Sequence, residues 1–371
     1  MNTSRAQLKS LLLSVLFASI AGVGLWLEAR LHFTLLRVLT VSFGILAVGT
    51  VIYALWKRQT SPATRLSSKA FRRLWVCGFT LLALTFVALG TKLAHDRAYG
   101  LVHPGRSLAE RTLESVGISK YQVVSFPSAD GLTLHGWYVP PRNGAVMIFV
   151  HGLGGNRSEL LDDARLLAEH GYGALLFDLR NSGESEGQIT TLGLQEVNDV
   201  EGAVEFVRAQ PGVDPDRMGL FGHSMGGATV ILAGARNPQV TVVVAQSAYT
   251  SIEDNISDSL RQLIGLPPFP FAPLVVFFGE REAGVNMGQV RPVDEIASLS
   301  PRPVLLVHGA QDEVVPVTNA YDLYAAAREP KEIYVIANAG HAGLPQAEPE
   351  EYERRIVGFL DETWIGLADS E

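Results

Sequence analysis

From about residue 120 onward, short unbroken apolar runs alternate with stretches of helical period, and few architectures satisfy that alternation. The runs cover 145–150, 173–177, 218–221, 240–245, 304–307 and 333–336. A strand with one wet face would alternate polar and apolar residues, so continuous runs predict strands covered on both faces. Helical periodicity falls between them, at 158–170, 193–209, 225–236, 317–328 and 349–364. Strand followed by helix, repeated, predicts an α/β fold with a doubly wound, mostly parallel sheet. Ahead of this block, 121–126 and 132–139 read as two strands separated by the turn signal Ala129-Asp130-Gly131.

The N-terminal quarter follows different rules. Residues 1–94 carry eleven Lys/Arg against one acid, Glu28, a balance of +10; the whole chain is at −8, so the remainder carries −18. An acidic body of that size repels phosphate backbones, and nucleic acid is not expected as a partner. Within 1–94, the stretches 11–27, 38–56 and 74–91 hold no charged side chain. Each would form roughly 26–28 Å of helix, close to the hydrocarbon thickness of a bilayer. Three transmembrane helices are therefore expected, flanked by Trp26, Tyr53, Trp56 and Trp75.

Arg5 and Lys9 precede the first span, and Lys57, Arg58, Arg65, Lys69, Arg72 and Arg73 lie between the second and third. The positive-inside rule places both regions in the cytoplasm and sends the chain after about residue 95 to the other side of the cell membrane. Reading 1–29 as a cleaved signal peptide would remove one span without changing that side. The domain plan is then an anchor over 1–94, a linker over 95–119 and a catalytic body over 120–371. The single cysteine excludes a disulfide framework within the chain.

The chemistry centres on Gly222-His223-Ser224-Met225-Gly226, directly after the apolar run 218–221 and directly before a helical stretch. A sharp strand-to-helix turn needs glycines on either side of the serine, where any side chain would meet backbone. Gly183-Glu184-Ser185-Glu186-Gly187 matches the same bare pattern. Ser185, however, lies several residues past its strand, is followed by no helix and sits between two carboxylates that oppose an alkoxide. A serine needs a base, and the base needs an acid to orient it. His341, in the loop after 333–336, is the candidate base. Asp312, in the loop after 304–307, is the candidate acid, with Glu313 as its neighbour and competitor. The order Ser, Asp, His is the one a doubly wound sheet supplies.

The oxyanion of such a reaction needs backbone donors. Met225 N–H follows the nucleophile, and Leu153 N–H lies in the glycine-dense loop His151-Gly152-Leu153-Gly154-Gly155-Asn156-Arg157 after 145–150. A phosphate-binding loop is the rival reading of that segment, but it lacks the Gly-Lys-Ser/Thr ending.

Taken in order, these pieces and several others resemble the α/β-hydrolase superfamily, particularly its lipase-like and serine-aminopeptidase-like members. The further matches are Asp130-Gly131, Gly136-Trp137-Tyr138-Val139-Pro140, the segment 178–185, and Gly309 to Pro316. The resemblance covers about 120–365 and leaves the N-terminal spans outside. It implies Ser224, Asp312 and His341 as the catalytic triad, with Asp312 preferred over Glu313, and Leu153 and Met225 as the oxyanion hole. It implies a structural role for 178–185, where Asn181 stands in place of the family's usual glycine. It calls for no cofactor and no metal.

Residues 250–293 interrupt the alternation where this fold commonly inserts a cap, and 266–278 within them is apolar and too proline-rich for a fourth span. The resulting expectation is a membrane-anchored serine hydrolase acting on a small-molecule or lipid-like acyl substrate, an ester or thioester. A peptidase or amidase using the same triad, and an idle membrane-tethered binding module, remain alternatives.

Overall fold

A computed structural model describes residues 68–263 and 265–368. The apolar runs 11–27 and 38–56 lie outside the described residues. The third falls in helix α1, Ser68–Val102, which continues eleven residues beyond Thr91 into the stretch read from sequence as linker. Within α1, Trp75–Val102 is long and apolar enough to cross a membrane, with only 6% of its most apolar window buried. Among the described residues it is the one helix that meets that criterion.

The chain divides into two compact units, and one of them, His95–Leu263 together with Pro267 onward, holds the sheet. Its eight strands are β1 (Gln122–Pro127), β2 (Thr133–Val139), β3 (Val146–Val150), β4 (Gly173–Phe177), β5 (Met218–His223), β6 (Val242–Gln246), β7 (Val304–Gly309) and β8 (Lys331–Ile336). They run in the order β1-β2-β4-β3-β5-β6-β7-β8. β1 pairs antiparallel with β2 and β2 antiparallel with β4, and every later pair is parallel. The helices are α2 (Leu161–Glu169), α3 (Glu196–Arg208), α4 (Met225–Arg236), α5 (Ile252–Gln262), α6 (Pro268–Ala283), α7 (Pro292–Glu295), α8 (Thr318–Ala326), α9 (Leu344–Ala347) and α10 (Pro349–Ala368).

The six apolar runs become β3 to β8, as expected, with β3 to β7 covered on both faces and β8 half-buried at the edge of the sheet. All residues of β3, β4, β5, β6 and β7 are buried. Met147, Phe149, Phe221, Val244 and Leu305 form the centre of one core that α2 and α10 close on one side. In the register, Val150 faces Gly222 and His223 faces Gln246, so the ends of β3, β5 and β6 finish level. That common edge is where an open parallel sheet presents its loops to a ligand.

Residues 250–293 supply α5 and α6, a helical insertion between β6 and α7. α6 opens on Pro268 in its first turn, where a missing N–H removes no helical hydrogen bond, is kinked at Phe269 and carries Pro273 in its interior. A helix starting on prolines is therefore compatible with the composition that argued only for a cap. The tail of α1 is fixed to this same unit: Thr190 N–H donates to Val102 O at 2.8 Å, and His103 Nε2 lies 2.9 Å from Glu282 Oε1 on α6.

Candidate active site

Ser224 sits between β5 and α4 with φ 56° and ψ −118°, a conformation costly for any residue with a side chain. The turn can hold it only because its neighbours have none. A Cβ on Gly222 would lie 2.2 Å from Gly226 O, and one on Gly226 would lie 2.0 Å from Val150 O. Ser224 N–H donates to Gln246 O at 2.9 Å, which ties the turn to β6.

The three residues expected to act together do meet. His341 Nε2 is 2.9 Å from Ser224 Oγ, and His341 Nδ1 is 2.7 Å from Asp312 Oδ2. Asp312 is buried, and its Oδ1 accepts Val314 N–H and Val315 N–H, both at 2.8 Å. Burial opposes its charge, but the hydrogen bonds from His308, His341 and Val315 outweigh it and hold the carboxyl well below the usual carboxylate range. Asp312 therefore stays ionised and faces the imidazole as an acceptor. Glu313, its competitor, is exposed.

Leu153 and Met225 line a cavity of about 280 Å³ together with Ser224 and His341. The geometry distinguishes between the donors of the glycine loop. Gly152 N–H is already taken by Glu159 Oε1 at 2.9 Å, whereas Leu153 N–H and Met225 N–H have no acceptor among the described residues. A Cβ on Gly152 would stand 3.3 Å from Ser224 Cβ, so this loop passes directly beside the serine.

Ser185 is placed elsewhere and fully committed. It is buried, its Oγ donates to Asp178 O at 2.6 Å and accepts His135 N–H at 2.9 Å, and the turn around it is pinned by Asp178. Asp178 Oδ1 accepts Arg157 N–H at 2.7 Å and Oδ2 accepts Glu184 N–H at 2.9 Å. Asn181 has φ 58°, a left-handed conformation that asparagine tolerates better than most residues and that explains how it stands where glycine is usual.

Other functional neighbours were not singled out in the sequence. His223, inside the nucleophile motif, holds Glu159 Oε1 at 2.8 Å with Nδ1 and His341 O at 2.7 Å with Nε2. Burial disfavours its charge, yet the Glu159 carboxylate prevails and raises its pKa, while His223 and Gly152 N–H keep Glu159 low against its own desolvation. This pair clamps three segments at once: the glycine loop, the nucleophile turn and the loop bearing His341. His308, at the end of β7, places Nε2 3.2 Å from Asp312 Oδ2 and 2.8 Å from Val315 O. Its signal lay in the segment before Gly309, but only the folded loop shows which carboxylate it faces. Among the described residues no group of three or more His, Cys, Asp or Glu side chains is arranged to hold a metal ion.

A parallel sheet with an antiparallel edge pair, a serine on a strand-to-helix elbow and a histidine and aspartate on the loops after β8 and β7 define a class. The chain belongs to the alpha/beta hydrolase family, whose model matches residues 147–355. Among its relatives, the uncharacterised protein YfhR of Escherichia coli K12 is 30% identical over 246 residues, which span 64% of this chain and 79% of that protein. A polyketide transferase of Stachybotrys chlorohalonatus is 27% identical over 284 residues, 64% of this chain and 95% of that one. Among solved structures, an esterase of Pyrococcus furiosus superposes with TM-score 0.60 at 25% identity, covering 71% of this chain and 98% of the esterase. Family and esterase neighbour together support a hydrolase.

Proposed function

We propose that this chain is a membrane-anchored serine hydrolase that cleaves carboxylic ester bonds through an acyl-enzyme. The observation that carries the proposal is the continuous chain of contacts from Ser224 Oγ to His341 at 2.9 Å and from His341 to Asp312 at 2.7 Å. His341 takes the Ser224 proton as the hydroxyl oxygen attacks the ester carbonyl. The carbonyl oxygen becomes an oxyanion and is met by Leu153 N–H and Met225 N–H, two donors that the ground state leaves free. His341 then passes its proton to the departing alcohol. Water, deprotonated by the same imidazole, releases the acyl group from Ser224. Asp312 holds Nδ1 protonated throughout, so that Nε2 faces the serine as a base.

The cavity of about 280 Å³ lies at the lower end of the range typical for small-molecule sites. That size supports a short acyl group over a long one inside the pocket.

The anchoring part of the proposal is supported by α1. Val76, Leu81, Leu84 and Val87 are each about 60% or more exposed, a surface that water penalises and lipid does not. Beyond Thr91, the polar residues Lys92, His95, Asp96 and Arg97 mark the return to a polar medium. The basic segments before the first apolar run and after the second support a cytoplasmic N-terminus and a hydrolase unit on the opposite side.

A fluorophosphonate probe, which reacts only with an activated serine, tests the reading. Ser224 in the folded full chain is expected to be labelled, and Ser224→Ala to abolish both labelling and hydrolysis of p-nitrophenyl butyrate, by roughly 10⁴–10⁶-fold in kcat. Ser185→Ala is expected to remain labelled. Labelling that survives in Ser224→Ala and disappears in Ser185→Ala would overturn the assignment.

A further inference from the structure

The cavity beside Ser224 has two kinds of wall. Around the serine it is backbone, imidazole and apolar side chains. It is lined as well by the tail of α1, through Arg97 and Leu101, and by α5, through Ile252, Asn255, Ile256 and Ser259. Two of those polar groups have no work to do within the protein. Arg97 makes no hydrogen bond and no ion pair among the described residues, although the guanidinium of Arg180 meets two carboxylates and that of Arg302 meets a cluster of backbone carbonyls. Asn255 Oδ1 is buried from water and has no hydrogen-bond partner. Of the carboxylates, only Glu159 lines the cavity, and its Oε1 is already held by Gly152 N–H and His223.

A partly buried cation and a buried, unpaired carboxamide in one small cavity are each unfavourable until something fills their hydrogen-bonding capacity. A plain hydrocarbon acyl chain satisfies neither. A carboxylate satisfies the guanidinium, which offers it two parallel N–H donors in a fork of matching geometry; Asn255 Oδ1 is an acceptor and calls for a donor instead. The unit around the cavity is strongly acidic, so its general field repels anions. A cation in the pocket without a carboxylate partner among the described residues therefore marks a local recognition device and not a broad attraction.

We propose that the substrate is a short ester carrying a second, negatively charged group, a carboxylate, at the end remote from the scissile bond. Arg97 binds that carboxylate, which fixes the ester carbonyl over Ser224. Arg97 is in this sense a specificity-determining residue supplied by the helix that also supplies the anchor. The inference rests on the serine-hydrolase reading given above and narrows it to anionic esters.

The test compares two p-nitrophenyl esters of the same length with the full-length protein. One is the mono-ester of glutaric acid, which ends in a carboxylate; the other is the 5-methylhexanoate, which ends in an isopropyl group of the same shape. The native protein is expected to prefer the glutarate ester by about 10- to 100-fold in kcat/KM, the loss a charge-assisted contact imposes when its partner is missing. Arg97→Met is expected to collapse that ratio toward one, chiefly through KM for the glutarate ester, and Arg97→Lys to retain part of it. Free glutarate should slow fluorophosphonate labelling of Ser224 in the native protein and not in Arg97→Met. Replacing the terminal carboxylate by a phosphonate separates a carboxylate site from a general anion site: a phosphonate ester turned over better than the glutarate ester would overturn the carboxylate assignment.

A labelled, active protein with no preference between the two esters, or with the same preference in Arg97→Met, would overturn this inference and leave the hydrolase reading standing. A folded protein that is neither labelled nor active on either ester would overturn both. Labelling of Ser224 in each variant also reports that the variant has folded.

Discussion

Asp312→Asn offers the sharpest examination of the site, because the two side chains have nearly the same shape and differ by one charge and two hydrogens. In the native arrangement Oδ1 accepts two backbone N–H groups at 2.8 Å, and Oδ2 faces His341 Nδ1 at 2.7 Å and His308 Nε2 at 3.2 Å. An asparagine that keeps its oxygen on the two N–H groups must turn its NH₂ toward His341. The imidazole then has to accept at Nδ1, which puts its hydrogen on Nε2, 2.9 Å from Ser224 Oγ. A nitrogen that already carries a proton cannot take one from the serine. The wrong tautomer costs about 10⁴-fold in kcat in the best-studied serine protease triad, about 5 kcal/mol of transition-state stabilisation.

The substitution has a second signature. Asp312 is held below its ordinary pKa in the folded protein, so its ionised form contributes stability above the carboxylate range, near pH 4 for a free aspartate, and loses that contribution as pH falls. The melting temperature of the native protein should therefore decline more steeply between pH 5 and pH 3 than that of Asp312→Asn. Kinetics on p-nitrophenyl butyrate at pH 7, with thermal melts across that acid range, measure both. A folded Asp312→Asn within tenfold of native kcat would refute the tautomer argument, and parallel acid melts would refute the electrostatic one.

Two other perturbations probe the scaffold around the triad. Gly226→Ala places a methyl group 2.0 Å from Val150 O, where only backbone can yield; we expect a fall in melting temperature of more than 5 °C and loss of serine labelling, and an unchanged melt would show the elbow to be more pliant than its geometry. Glu159→Gln removes the carboxylate that raises the His223 pKa and is itself held low. The pair stabilises most between the ordinary carboxylate and imidazole values, about pH 4.3 to 6.5, losing the histidine share as pH rises through the raised value and the glutamate share as pH falls. The gap in melting temperature between native and variant should be widest in that window, and a gap independent of pH would deny that the pair is ionised.

What could be read along the chain was whatever depends on neighbours in sequence. Strands β3 to β7 were legible because each is covered on both faces and so is largely apolar, and β8 because its second half, Ile333 to Ile336, is apolar. Ser224, Asp312 and His341 were legible because each follows such a strand directly, and the sheet lines up the strand ends. The places of Arg97, Glu159 and Asn255 beside Ser224's cavity were not legible. Arg97 stands in a charged stretch after a long apolar run, and such a stretch reads as linker; nothing local says that the helix continues and that its side chain reaches a cavity shared with residue 255. Glu159 belongs to a loop next to a helix rich in acids, and its bond to His223 crosses 64 positions. The helix α6 was hidden by its prolines: Pro268 can open a helix, but Pro273 lies inside this one, where proline reads as a breaker.

The reactive groups come from the ends of three different strands, β5, β7 and β8, and no two of them are joined by a short hairpin. Each strand reaches its place only after a long crossover has closed, and β8, the last to be synthesised, lies at the outer edge and brings the base. A nascent chain that has been made through Asp312 therefore carries Ser224 and the carboxylate but not the imidazole that the proposed mechanism needs. On the proposed mechanism, proton transfer from Ser224 becomes possible only once β8 and the loop after it are in place.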